Sequence, residues 1–201
     1  MGIHRILLLR HARTKGNEEK RYMGMRSDEP VSDEGLKQLE GTDMDKVPAF
    51  DRVFCSPMQR CAITAERIFP GKETESVQEL TEMDFGLYEG KNFEELKDDP
   101  YYNEWIASNG RLPFPDGEDM AGFTARSLKA FKGILDKLKD GESAAIVCHG
   151  GNIMAILSAV TGVEYFDFNV GNIEGYIIDI TYDGENINVL SYERFGVGMD
   201  T

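Results

Sequence analysis

The sequence predicts an α/β fold: a three-layer sandwich with a mostly parallel central sheet, helices on both faces and a small helical insertion near one edge. Three observations predict it. Short apolar runs of strand length alternate with amphipathic segments of helical length along most of the chain. Two of these runs end abruptly in histidine, at Leu9-Arg10-His11 and at Cys148-His149, as strands do when they deliver polar groups to the carboxyl edge of a parallel sheet. The 201 residues, 41% hydrophobic, suffice for one sizeable core and fit a single domain over 1–201 better than two.

Ile3 to Leu9 is short and apolar, which predicts a buried strand. Lys15 to Met25 is polar and holds Gly16 and Gly24, so it reads as loop or short helix. Ser32, with Glu34 in the first turn, predicts the N-cap of a helix through Leu36 and Leu39. Asp51 to Cys55 is a second strand. Ser56-Pro57 then starts a helix, Ser as N-cap and Pro in the first turn, where its missing N–H costs nothing; it runs through Ala62, Ala65 and Ile68 to Pro70. Ser76 to Leu80 is expected as a third strand. Residues 92–115 hold Trp105, two tyrosines, several charges and prolines but no clean strand, and read as a cap-like helical insertion over one end of the sheet. Asp116-Gly117-Glu118 leads into a long amphipathic helix through Phe123, Leu128, Phe131, Leu135 and Leu138, ended near Asp140-Gly141. Ser143 to Cys148 is a fourth strand and Gly150 to Val160 a helix. Tyr176 to Tyr182 and Ile187 to Tyr192 flank Asp183-Gly184, a hairpin signal.

The formal net charge is -14, from 36 acidic and 22 basic residues. A surface so acidic argues against nucleic acid and against anionic membrane as partners, since both require a positive field. Three cysteines, Cys55, Cys61 and Cys148, are too few for a disulfide framework and lack metal-site spacing. Cys55 and Cys148 close apolar runs and read as buried small thiols. Together with a start that goes from Met1 straight into a short apolar run, without a cleavable signal, this predicts a cytoplasmic location.

The chemistry lies where strands end. His11 and His149 close two strands, Ser56-Pro57-Met58-Gln59-Arg60 follows a third, and Leu80-Thr81-Glu82 follows a fourth. One edge would then hold two imidazoles, at least two guanidiniums and a carboxylate. Any one of these groups alone says little; a solvated arginine after a strand is common. Their convergence is the signal.

These residues resemble the histidine phosphatase family, in its phosphoglycerate mutase-like branch. Arg10-His11-Ala12-Arg13-Thr14 with Asn17 is similar to the family's Arg-His-Gly signature, with Ala12 for the usual Gly and Arg13 for the commoner Glu. Ser56-Pro57-x-x-Arg60-Cys61-Ala62-x-Thr64-Ala65 resembles its second block, Leu80-x-Glu82-x-x-x-Gly86-x-x-Glu89-Gly90 its third, and His149-Gly150-Gly151 its fourth. The matches span most of the chain in the family's order. The resemblance implies that His11 is a nucleophile accepting a phosphoryl group, and that Arg10 and Arg60 hold the equatorial oxygens by two-pronged contacts. It implies that His149 donates to those oxygens and that Glu82 protonates the leaving alkoxide, then activates water. Asn17, Ser56 and Gly150 would add phosphate contacts. Arg13, Trp105 and Arg111 are candidates for substrate contact, with Tyr101, Tyr102 and Phe114 beside them in the insertion. His4, at the far end of its strand, is not expected in the site.

The residue types suit that chemistry. An imidazole is nucleophilic only when neutral. Phosphoryl transfer needs charge neutralisation and in-line positioning, and the guanidinium fork fits phosphate. An alkoxide leaves poorly unless protonated, so Glu82 requires a raised pKa. The expected activity is hydrolysis of a small phosphomonoester without metal or cofactor. The resemblance to an alpha-ribazole phosphatase-like subgroup rests on analogy of size. A phosphoglycerate mutase is the alternative, disfavoured because the insertion has only Lys97 and Arg111 as cations against five acids. A non-catalytic phosphate-binding module and a metal-dependent hydrolase rank lower, since the full set of catalytic types is present and no acidic or cysteine cluster accompanies the histidines. The sequence names neither the physiological ester nor the oligomeric state.

Overall fold

The computed structural model describes residues 2–196, so Met1 and residues 197–201 of the expected domain lie outside the described residues. Its strands are β1 (His4–Arg10), β2 (Arg52–Cys55), β3 (Thr74–Ser76), β4 (Ala144–Cys148), β5 (Glu174–Tyr182) and β6 (Ile187–Gly196). Its helices are α1 (Lys15–Glu18), α2 (Asp33–Glu40), α3 (Gln59–Ile68), α4 (Phe93–Leu96), α5 (Pro100–Ala107), α6 (Met120–Leu135) and α7 (Gly150–Thr161). The sheet order is β3-β2-β4-β1-β5-β6. β3, β2, β4 and β1 pair in parallel, while β5 and β6 are antiparallel additions at one side. The mostly parallel α/β expectation therefore holds.

The middle of β1 explains the layering: Ile6, Leu7, Leu8 and Leu9 are all fully buried, the mark of a strand covered on both faces. Ile6 and Leu8 pack with Ile146, with Phe131 and Ile134 of α6 and with Ile153 and Ile156 of α7. Leu7 and Leu9 face the other layer, with Val53, Val147, Leu39 of α2 and Cys61, Ala65 and Ile68 of α3. A third apolar cluster joins the insertion to the body, through Tyr88, Leu96, Tyr102 and Phe114 against Phe123 and Ala155.

The register fixes the site. Arg10 pairs with Cys148 and Cys55 with Val147, so the residues after β1, β2 and β4 leave the sheet side by side. No helix of the described residues is long and apolar enough to cross a membrane.

Several local expectations need correction. The strand expected at Ser76 to Leu80 is instead β3, ending at Ser76, followed by a 3-10 turn at Gln78–Leu80. The turn lets Leu80 reach the core, at 0% exposure, and carries Glu82 over the edge of the sheet. Ser56 does not cap α3. That helix starts at Gln59, whose N–H is met by Asp28 Oδ1 at 2.8 Å from a distant loop, while the Ser56 hydroxyl is used elsewhere. β1 is shifted by one residue, with Ile3 exposed. α6 stops at Leu135, before the expected end, although Leu138 still packs on the core. Both hairpin strands run longer than their apolar patterns.

Candidate active site

β1 ends in Arg10 and the chain turns at His11, whose N–H bonds Cys148 O at 3.0 Å across the sheet. Its ring is 4% exposed. Nδ1 lies 2.7 Å from Ala12 O. A carbonyl only accepts, so Nδ1 carries the proton and Nε2 keeps its lone pair. Nε2 has no hydrogen-bond partner among the described residues. Burial, then the Arg60 and Arg10 charges, holds the His11 pKa well below the ordinary histidine value. The ring is therefore neutral at physiological pH.

His149 stands at the N-terminus of α7 and is fully buried. Arg60 Nε donates to its Nδ1 at 3.3 Å. A guanidinium cannot accept, so Nδ1 holds the lone pair and Nε2 the proton, the opposite tautomer to His11. That Nε2–H is given to Ser56 Oγ, 2.9 Å away. The Cys61 Sγ is 3.5 Å from the same nitrogen. The rings of His11 and His149 meet edge to face, centroids 5.1 Å apart. Burial and the same arginines lower the His149 pKa strongly.

Arg60, 1% exposed, is held by the loop after α1. It donates to Ser27 O at 2.8 Å, to Met23 O at 3.2 Å and to Gly24 O at 3.3 Å. With Nε on His149, only one or two of its five N–H groups remain. Arg10 donates to Val170 O at 2.7 Å, and its Nε is buried without a partner. Burial lowers the Arg10 pKa, but a guanidinium stays charged across neutral pH.

Glu82 approaches from above the sheet edge, half-buried. Its Oε1 accepts from Met83 N at 2.9 Å and its Oε2 from Gly151 N at 3.3 Å. Burial raises its pKa, against the pull of Met83, Arg60, Gly151 and Arg10. Arg126 clamps the chain just before it, donating to Glu79 O, Thr81 O and Glu82 O while paired two-pronged with Glu118. Asn152, fully buried, ties Thr81 O and Ser127 Oγ to the His149 N–H. A neutral imidazole, two fixed cations and a carboxyl whose pKa burial raises thus share one edge of the sheet.

Two cavities open there and share Arg10 and Tyr22. One, about 610 Å³, is lined by Arg10, Arg13, Asn17, Lys20, Arg21 and Asn172, with Glu18. The other, about 230 Å³, is lined by Glu82, Gly150, Gly151 and an aromatic wall. Asn17 faces the first. Its Oδ1 accepts from Thr14 N and Asn172 Nδ2, so its amide NH₂ is left to donate. Arg13 is exposed on the same cavity. Trp105 and Phe114 line the second cavity, and so does Gly150, at the start of α7. The Ser56 hydroxyl is engaged with His149 Nε2 and, like His11, Arg60 and His149, lies outside the lining of either cavity. Arg111 lies outside both, on a shallow depression with Met120 and Thr124. Tyr102 is buried and Tyr101 donates to Pro113 O at 2.8 Å; both pack the insertion. His4 bonds Glu142 O at the opposite end of β1.

Residues the sequence did not single out complete the site. Asn172 donates to His11 O at 2.9 Å, and Ile173, at φ 58°, donates its N–H to Arg10 O. Tyr22, Tyr165 and Phe166 supply half of the aromatic wall. None belongs to a local motif; the aromatic run Tyr165-Phe166-Asp167-Phe168 after α7 could have flagged Tyr165 and Phe166, and no local signal marks the others.

Comparison with known proteins agrees with this geometry. Residues 6–193 match the family model described as Histidine phosphatase superfamily (branch 1). Adenosylcobalamin/alpha-ribazole phosphatase of Salmonella typhimurium is 30% identical over 161 residues, 77% of this chain and 78% of that protein. Phosphoserine phosphatase 1 of Hydrogenobacter thermophilus is 27% identical over 173 residues, 82% of this chain and 79% of that one. The alpha-ribazole phosphatase structure from Shigella flexneri superposes with a TM-score of 0.77 at 22% identity, covering 98% of this chain and 100% of that one, which bears on the fold alone. With the family model spanning nearly all of the described chain, the protein belongs to branch 1 of the histidine phosphatase superfamily and is a phosphoric monoester hydrolase.

Proposed function

We propose that the protein hydrolyses a small phosphomonoester through a phosphohistidine on His11. The observation that carries the reading is the His11 tautomer: Nδ1–H is committed to Ala12 O, and the ring is neutral with Nε2 unengaged. In the first step Nε2 attacks phosphorus, the P–O bond to the alcohol breaks, and Glu82 gives its proton to the departing oxygen. In the second, the Glu82 carboxylate takes a proton from water, the water oxygen attacks phosphorus, and the P–N bond breaks to release phosphate and neutral His11. Arg10 and the free N–H groups of Arg60 neutralise the phosphoryl oxygens, assisted by the Asn17 amide and the Gly150 N–H at the start of α7. His149 gives its Nε2–H to a phosphoryl oxygen, exchanging Ser56 for substrate. The scheme calls on no metal ion or organic cofactor, and the three free buried thiols suit a reducing cytoplasm.

Rapid quench with a labelled phosphoester tests the intermediate. Acid-labile, alkali-stable label on His11 is expected, and none in His11→Ala; label on serine refutes the mechanism. Phosphoglycerate mutation is the competing reading, favoured by Arg13 and Lys20 in the cavity beside Arg10. Against it, Lys97 of the insertion is paired with Glu94 and Arg111 lies outside the site. Interconversion of 3- and 2-phosphoglycerate, with 2,3-bisphosphoglycerate supplied, should be negligible beside phosphate release; comparable rates would reverse the choice.

A further inference from the structure

The proposed reaction places the leaving oxygen at Glu82, and Glu82 lines only one of the two cavities. The body of the substrate must therefore lie in the smaller one. That cavity is walled by Tyr22, Phe85, Trp105, Phe114, Tyr165 and Phe166, with Arg10 and Glu82 the only charged lining residues among the described residues. Both of those are already used by the reaction, so no charged side chain is left there to meet a charge on the alcohol. The cations Arg13, Lys20 and Arg21 lie in the other cavity, on the far side of Arg10 and Tyr22.

One further observation points to a ligand in this space. Phe166 is 51% exposed although it borders a cavity, which leaves a phenyl ring in water until something covers it. Trp105 Nε1 is enclosed and has no hydrogen-bond partner, and the ring centroids of Phe114, Tyr102 and Tyr22 lie 4.7, 6.0 and 6.2 Å from that of Trp105. An aromatic hydrocarbon would not meet that N–H, so this atom reports on how tightly the aromatic wall is packed and not on the ligand. The wall joins the insertion to the 3-10 turn at Tyr165–Phe168, so it is built from separate parts of the chain rather than by one packed element.

We propose that this cavity selects a phosphomonoester whose alcohol carries an uncharged aromatic ring, the ring lying between Trp105, Phe114 and Phe166. The inference rests on the hydrolytic reading above. A carboxylate or ammonium on the alcohol would be desolvated there without a partner, and a small polyol would leave the wall uncovered.

The test compares benzyl phosphate, O-phosphoserine and glycerol 3-phosphate, whose leaving alcohols are of similar basicity, with para-nitrophenyl phosphate as a reporter of turnover. Benzyl phosphate is expected to have kcat/KM at least about tenfold above the other two alkyl esters, the gain for covering part of one ring. Phe166→Ala, at a half-exposed position outside the core, should lower the benzyl-to-glycerol ratio of kcat/KM about tenfold, mainly through KM on the benzyl ester. If His11-dependent hydrolysis of para-nitrophenyl phosphate is present but phosphoserine or glycerol 3-phosphate is preferred, this inference falls and the proposed function stands. A benzyl-to-glycerol ratio untouched by Phe166→Ala also overturns it. If no ester is hydrolysed in a His11-dependent way, the proposed function falls and this inference with it.

Discussion

Gly151→Ala should damage the chemistry while changing stability little. Gly151 sits in the first turn of α7, in ordinary helical backbone, where alanine is the better residue by about 1 kcal/mol. A methyl built on it would overlap Glu82 Oε1 and sit 3.1 Å from two atoms of the fully buried Phe123 ring, closer than ordinary contact, so that the ring must give by a few tenths of an ångström. The carboxylate is the end of a flexible side chain, so it yields at little cost, by roughly 1 Å to restore ordinary contact. That movement breaks the bond from Gly151 N to Oε2 and takes the acid off the leaving oxygen. A misplacement of roughly 1 Å at a reacting group costs on the order of 10²-fold. The expected result is a loss of that size in kcat/KM on an alkyl phosphate, a much smaller one on para-nitrophenyl phosphate, and a urea midpoint near that of the wild type, the helix-propensity gain being offset by crowding of Phe123. Alkyl phosphate turnover within twofold of the wild type would refute the reasoning, because it would mean the position of Glu82 does not matter.

Glu82→Gln should likewise cost far more on alkyl than on para-nitrophenyl esters, since only the former need a proton as they leave; equal losses in single-turnover assays would remove Glu82 as the acid. Arg60→Lys should lower stability by about 2–4 kcal/mol and kcat/KM by on the order of 10²-fold, because an ammonium cannot serve His149 Nδ1 and the carbonyls of Met23, Gly24 and Ser27 together; a denaturant midpoint equal to the wild type would refute it. Stability should fall on mild acidification. The unfolded chain protonates His11 and His149 as pH drops through about 6.5, whereas the native state, with both pKa values lowered, does not. The contribution is complete above that pH and is lost below it, down to the native values, at up to about 2.7 kcal/mol per pH unit for the two. Urea unfolding between pH 7 and pH 5.5 checks this, and a flat profile would show that the rings accept protons in place.

Much of this was legible in the sequence where one physical signal dominated. The unbroken run Ile6-Leu7-Leu8-Leu9 demands a strand covered on both faces, and Asp183-Gly184 demands a tight turn. Strand-end histidines announce a site because a parallel sheet presents its carboxyl edge to ligand. What stayed hidden depended on partners remote in the chain. Asp28 caps α3, so the local Ser56-Pro57 signal misplaced the start of that helix. Val77 and Leu80 have strand-like character, yet the need to bury Leu80 turns the chain after Ser76. The roles of Ser56 and Arg60 also shift in three dimensions: much of the hydrogen-bonding capacity of Arg60 goes to its own loop and to His149, which no spacing in the sequence reveals. Arg126 and Asn152 hold the Glu82 segment from helices whose patterns read simply as amphipathic.

The sheet order has a consequence for how the protein comes into being. β1 lies between β4 and β5, with Ile6 opposite Ala144 on one side and Ile178 on the other. The strand that leads into His11 precedes the other described strands in the chain, and both of its neighbours belong to the last third of the given sequence. A growing chain that has reached α6 already carries His11, Arg60 and Glu82, yet nothing flanks β1 and His149 has not been made. Such long-range closure makes for slow, late assembly. It also means that the surroundings of His11 arrive all at once: its main chain acquires the bonds to Cys148 O and from Asn172, and its ring the facing imidazole of His149, in the same closing event, so a truncated or partly folded chain carries the histidine without them.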